Sequence, residues 1–410
     1  MNLPKGRALS AVQKQLLRNT VIDERAPGAI LCDFTTLIDF IGKDGIPLTA
    51  THLLLLKSLA PLNERLTAPL ALTLQRPSLK SYPPLEGLFL LARASGLTYI
   101  DETGKKPLLL LDQEVYASWE TLNTTERYFT LLETWVLRGR PEILGENGNL
   151  FDFSGSLSTW QPFFAKVPEQ GRSILRGTED ERSLRYFPGL RNLALLELLG
   201  LAVVHQVPSA AGQGWQIDSI ERTPLGDAVL QLLLQHLSQL LEETVLLPPP
   251  GLLAMGELQP TFQPYFPAWQ HNLVIPGLGF QDGVYLLRVA LDEQIWRRIA
   301  IPATMTLDDL CGAILDAYNF DYDHLYEFIY HSHFGLDERV PNPEYAEGLD
   351  TSEVRVGDVP LPVGGSMIFH YDLLDDWLFT ILLESIDPVN AAMTQPVLLE
   401  KHGVAPEQYA

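Results

Sequence analysis

One stretch of this 410-residue chain constrains its fold more than any other. Over residues 284–386 a capped helix signal stands between runs of strand-type residues. Thr306 is a good N-cap, and Asp308 and Asp309 put negative charge in the first turn, where free backbone N–H groups favour it. Leu307, Leu310, Ile314, Leu315 and Tyr318 then recur at helical spacing and give one apolar face. Upstream, residues 284–291 and 295–301 are rich in Val, Leu, Ile and aromatic residues and read as strands. Pro302 ends the second, because proline has no N–H to give a ladder. Downstream, residues 325–330, 366–371 and 377–386 read as three further strands. Two strands, a helix and three strands predict an α+β domain, a mixed sheet with the helix on one face.

The motifs in this stretch resemble a known family. They are Ile295-Trp296-Arg297-Arg298-Ile299, Thr306-Leu307-x-x-Leu310, Asp321-x-Asp323-His324-x-Tyr326-x-Phe328, Tyr371-Asp372 and Asp375-Asp376-Trp377. The tail adds Gly403-x-x-Pro406-x-Gln408-Tyr409. In that order and spacing the last third of the chain resembles the plasmid pRiA4b ORF-3-like family, also described as passenger proteins of an insertion element. Leu374 stands where the family usually has glycine. The resemblance implies a link to mobile elements and brings no activity with it. Some members carry a resolvase-like label, but no serine or tyrosine recombinase pattern is present here. The motif residues Asp321, Asp323, His324, Tyr326, Tyr371, Asp372, Asp375, Asp376 and Trp377 are candidates for a ligand or partner surface.

The rest of the chain reads as helical. Residues 9–17 and 31–41 predict helices, with Gly42 and Gly45 breaking the second. Thr49 is placed to cap a helix over 53–66, and Pro83-Pro84 to open one over 85–94 that Gly96 closes. Residues 97–101 and 107–111 then flank the turn Glu102-Thr103-Gly104-Lys105-Lys106, and a broken helix runs from Gln113 to near Arg138. The same grammar returns in the helix 190–199, the strands 201–206 and 215–222, and the helix 227–241. Helices followed by a hairpin predict two mainly helical, winged-helix-like units, residues 1–140 and 141–247. Residues 248–279 form a Pro-rich linker whose aromatics dock on a neighbour, and 280–410 the acidic α+β domain.

Charge sets what such units can bind. Residues 281–410 hold 23 acidic and 6 basic side chains of a chain whose net charge is −22, so this domain should repel phosphate backbones. DNA contact falls to the helical units, through Lys105 and Lys106 on the first hairpin and Arg191 and Asn192 at the start of the later third helix. Both third helices are mostly apolar, which favours packing and a protein partner. The two cysteines, Cys32 and Cys311, read as buried thiols. There is no secretory signal and no apolar run of ~18 residues, so a cytoplasmic protein without a membrane span is expected.

One constellation can carry chemistry. Asp323, His324, His331, His333 and Asp372 include a His-x-His pair, which on a strand puts both imidazoles on one face. With carboxylates they can hold a divalent metal and activate water. The alternative makes His324 and Tyr326 interior polar groups bonded to backbone or to Asp372. Phosphate loops, dinucleotide fingerprints and nucleophile elbows are missing from the sequence. Asp375 and Asp376, adjacent on a strand, would face opposite ways, and Arg297-Arg298 should pair with nearby acids. The expected function is a non-catalytic binding protein without a cofactor, with a protein partner and a link to mobile elements or regulation. Its rivals are a metal-dependent hydrolase and a DNA-binding regulator.

Overall fold

Reciprocal capping opens the chain: Ser10 accepts from Gln13 N, and the Gln13 side chain accepts from Ser10 N, starting α1 (Ala11–Asn19). A computed structural model describes residues 7–146, 157–168, 170–174, 178–209, 211–243, 254–346 and 349–409. Residues 1–243 with 255–275 form one unit, and 244–254 with 276–410 a second.

The first unit continues through α2 (Ile30–Ile41), β1 (Ile46–Pro47), α3 (Leu56–Asn63), α4 (Pro83–Ala94), β2 (Thr98–Asp101) and β3 (Leu108–Leu111). Helices α5 (Gln113–Thr121) and α6 (Thr124–Glu133) lead to α7 (Leu157–Phe164), β4 (Arg172–Ser173), α8 (Glu179–Ser183), α9 (Leu190–Leu198), β5 (Ala202–Val207) and β6 (Gln216–Arg222). Helices α10 (Pro224–Glu243) and α11 (Gln259–Phe262) follow. One order of elements therefore occurs twice: helix, short strand, two helices, hairpin. Both three-stranded sheets share a strand order, β1-β3-β2 and β4-β6-β5.

Every residue of α4 is buried, and α4 lies along α9. Gly87 makes this possible, since a Cβ there would sit 2.8 Å from Leu195 Cγ. The halves thus share one core. Helix α3 is shorter than its pattern predicts. Thr49 Oγ1 accepts from Leu53 N, and a bridge between Leu48 and Leu54 keeps the chain extended until Leu56. The break between α5 and α6 is chemical: Asn123 and Glu126 form a new capping box.

The Pro-rich stretch docks on α6. Phe262, Phe266 and Trp269 surround Phe129, the last stacked at 4.5 Å. Two buried carboxylates on α6 hold its backbone. Glu126 Oε1 accepts from Gln270 N and His271 N, and Glu133 from Gly256 N and Leu258 N.

The second unit holds β7 (Val284–Ala290), β8 (Trp296–Pro302), α12 (Leu307–Tyr318), β9 (Tyr326–His331), β10 (Asp337–Pro341), β11 (Ser366–Tyr371), β12 (Trp377–Asp387) and β13 (Val397–His402). Its seven strands are ordered β10-β9-β11-β12-β7-β8-β13. Every neighbouring pair is antiparallel, so the sheet is not the mixed one expected. Short connections between β7 and β8, β9 and β10, and β11 and β12 permit only antiparallel hairpins. Thr306 and Asp309 cap α12 reciprocally, and its Leu310, Ile314 and Leu315 pack on Leu287, Phe328, Phe369, Phe379 and Ile381 of the sheet. Cys311 is buried, whereas Cys32 is only half-buried; both are free thiols. Among the described residues no helix is long and apolar enough to cross a membrane.

Candidate functional site

In the second unit three chain segments meet where the motifs predict a surface: the loop between α12 and β9, the turn between β11 and β12, and the tail after β13. Tyr371, at the end of β11, donates to Asp321 O and accepts from Asp323 N at 3.3 Å. The tail closes over the same loop. Gln408 Oε1 accepts from Asp321 N, Gln408 Nε2 donates to Asp323 Oδ1 at 3.4 Å, and Tyr409 OH donates to Asp323 Oδ2 at 2.8 Å. The Tyr409 bond holds the Asp323 carboxyl below its usual range, and the same bond pushes the Tyr409 phenol up to about 12.

His324 lies between Asp323 and Asp372, at 3.4 and 3.5 Å, with its ring edge-on to Tyr371. Asp372 is buried and holds the next turn through Leu374 N and Asp375 N. Asp375 and Asp376 belong to this turn, not to a strand as expected. Left-handed backbone falls on Asp372 (φ 53°) and Asp376 (φ 54°), residues whose short polar side chains tolerate it. Leu374, at the glycine position of the family, is 92% exposed and escapes that demand. Asp376 turns back to His370 Nε2 at 2.9 Å. Trp377 is half-buried against Phe320, ring centroids 5.0 Å apart.

Tyr326 points to the other side of the loop. Its hydroxyl and that of Tyr322 both donate to Asp308 Oδ1 in the first turn of α12, and Tyr326 also meets Thr351 Oγ1 at 3.0 Å. Burial pushes both phenols up, with Asp308 adding to the shift. Burial raises the Cys311 thiol as well. Tyr322, Thr351 and the pairing role of Asp308 were not legible, because their partners are far apart in sequence.

The five expected metal ligands do not form one site. β9 ends at His331, which faces Asp337 at 3.0 Å. His333 lies beyond, in a turn, and donates from Nε2 to Pro276 O. The shared face of residues two apart holds only inside a strand. Among the described residues no three His, Cys, Asp or Glu side chains are grouped to hold a metal ion. Arg298 pairs with Glu384 and Glu400 as expected, but among the described residues no acid pairs with Arg297. It is buried and donates to Ala317 O and His402 O, its guanidinium over the Tyr318 ring.

In the first unit Lys105 and Lys106 are exposed at the tip of the β2–β3 hairpin. Arg191 and Asn192 are both engaged within the unit. Arg191 donates to Glu86 at 3.1 Å and Glu146 at 3.4 Å. Asn192 is buried, accepts from Trp135 Nε1 and donates to Pro188 O. Burial pushes the Glu86 carboxyl up, against the pull of Arg191. Arg191 and Glu86 both line a cleft of about 840 Å³ at the starts of α4 and α9.

The family match lies within the second unit. Residues 283–409 match the family model for plasmid pRiA4b ORF-3-like protein, as the motifs predict. A solved structure of a protein of unknown function from Methanosarcina mazei Go1 aligns at 25% identity. It covers 31% of this chain and 74% of its own, with a TM-score of 0.28. No curated protein matches the chain.

Proposed function

We propose that this chain, whose C-terminal third is similar to the plasmid pRiA4b ORF-3-like family, is a non-catalytic binding protein with a protein partner, in a role linked to mobile elements or regulation. The first unit is, in this reading, a duplicated winged-helix-like scaffold. The twice-repeated order of elements and the shared strand order support the duplication.

One observation carries the argument against DNA and for a protein partner. Winged helices that read DNA lay the third helix in the major groove. Here the two third helices, α4 and α9, lie against each other, and α4 is buried along its whole length. A helix in a core cannot enter a groove. In the second unit Asp321, Asp323, Tyr371, Gln408 and Tyr409 are likewise bonded to one another. Its 23 acidic and 6 basic side chains favour a basic partner.

Two measurements on the full chain test this. Titration of a labelled DNA duplex should give no saturable binding. Affinity that falls steeply with salt and disappears in a Lys105→Ala, Lys106→Ala double variant would instead establish the DNA-binding reading. Affinity capture from the cells that make the chain should retain a basic protein at low salt and release it at high salt. Recovery of no partner, together with duplex binding, would sink the proposal.

A further inference from the structure

We infer that the free edge of β13 is a docking site for an extended, basic segment of the partner, which joins the sheet as a further strand. This rests on the basic-partner reading above and names where that partner sits. The seven-stranded sheet has two outer strands, β10 and β13. An outer strand presents backbone N–H and C=O groups to any chain that can pair with it, and folds guard such strands with charge, proline or cover. β10 is guarded. Its exposed residues are the charged Asp337 and Arg339, paired with His331 and Glu327. It ends at Pro341, whose carbonyl accepts from Thr351 N.

β13 lacks that guard over its first half, where Val397, Leu398 and Leu399 are exposed in succession. Among the described residues its backbone pairs with that of β8 alone. Its edge devices are Glu400, already held by Arg298, Lys401, and a bulge that leaves Leu399 with no opposite residue on β8. Leu398 lies opposite Ile299, and directly opposite residues share a face of the sheet. Ile299 belongs to the core under α12 and is 1% exposed, yet Leu398 is 37% exposed. The apolar face of the sheet therefore runs on past its cover, and a further strand on β13 completes it. Extended peptides join sheet edges in this way, with main-chain bonds for affinity. Charge selects the peptide. Residues 281–410 hold 23 acidic and 6 basic side chains, so a segment rich in Lys and Arg is drawn in and an acidic one repelled. A second copy of this chain is disfavoured on the same ground, since it brings the same net charge of −22.

Fluorescence anisotropy of the full chain tests it with three labelled octapeptides: alternating Lys-Val, alternating Glu-Val, and the Lys-Val peptide N-methylated at every second residue. Saturable binding is expected only with the first, and hydrogen exchange in the second unit should slow over residues 397–402 alone. The double variant Leu398→Glu, Leu399→Glu separates edge pairing from bulk attraction. Added negative charge strengthens mere attraction, whereas edge pairing should weaken about tenfold or more, with the parent's circular dichroism kept. No binding of the Lys-Val peptide, or equal binding of its N-methylated form, would overturn the proposal. Protection elsewhere, or tighter binding in the double variant, would also overturn it and leave the basic-partner reading standing. Equal binding of the Glu-Val peptide with the same protection would take down both. A dimer in analytical ultracentrifugation that the double variant breaks would make a second copy the occupant, and the proposal would fall.

Discussion

The two units use their polar side chains in opposite ways. In the second unit the motif residues bond to one another and to their neighbours: Asp321 with Gln408 and Asp323 with Tyr409 near the surface, and Tyr326 with Tyr322 and Asp308 further in. In the first unit charged groups lie inside. Glu126 and Glu133 clamp backbone amides, and Arg138 is buried against Glu133. A dense motif can therefore mark structure-holding bonds rather than an open site.

The sharpest way to break this comparison is Glu133→Ala. The change takes a carboxylate from Arg138, at 3.2 Å, and from the backbone amides of Gly256 and Leu258. Breaking a buried ion pair of this kind costs about 3–5 kcal/mol. Calorimetry should show the first unit's melting transition falling steeply while the second unit's stays in place. If both fall together, the polar interiors are not independent. Gly87→Leu should come next, at about 1–3 kcal/mol, because the new side chain overlaps Leu195 and forces α4 and α9 apart. An unchanged melt would mean the two third helices are not tightly packed, and the case against groove binding would weaken with them.

The sequence was readable where structure is set locally. Thr306 with Asp309 announced α12, Pro83 announced α4, and runs of strand-type residues announced β7, β11 and β12. It was silent where exposure removes the pattern. All six residues of β13 are exposed, so Val397, Leu398 and Leu399 show no alternation, and β10 is only five residues long. It misled where a rule lost its premise. His331 and His333 share a face only if the strand continues, and the Ser332–Gly335 turn ends it. Arg297 looked like an ion-pair partner but fills its donors with carbonyls. The meeting of α4 and α9 had one faint trace, Gly87 in an otherwise apolar helix, and nothing to say which helix it faced.

The smallest effect belongs to the second unit's tail, and it tests whether its polar bonds are as local as they look. Tyr409→Phe keeps the ring and removes the hydroxyl that donates to Asp323. Asp323 is held below the ordinary 3.8, so the stability it lends the tail is present above that pH and is lost as pH falls through the lower folded value. Tyr409 runs the other way. Its phenol is raised from 10.0 to about 12, so its contribution is whole below 10.0 and is lost as pH rises toward about 12. Between those limits the tail stays bonded to the loop. Carbon-detected NMR titration of Asp323 should move its midpoint up toward the ordinary carboxyl value in Tyr409→Phe, and hydrogen exchange in residues 403–409 should quicken. Neither melting transition should shift measurably, because both partners are at the surface and the core does not rest on them. A midpoint that stays put would assign the lowered value to His324 instead, the next contributor to it, and the tail would lose its place as the partner of the Asp-x-Asp-His loop.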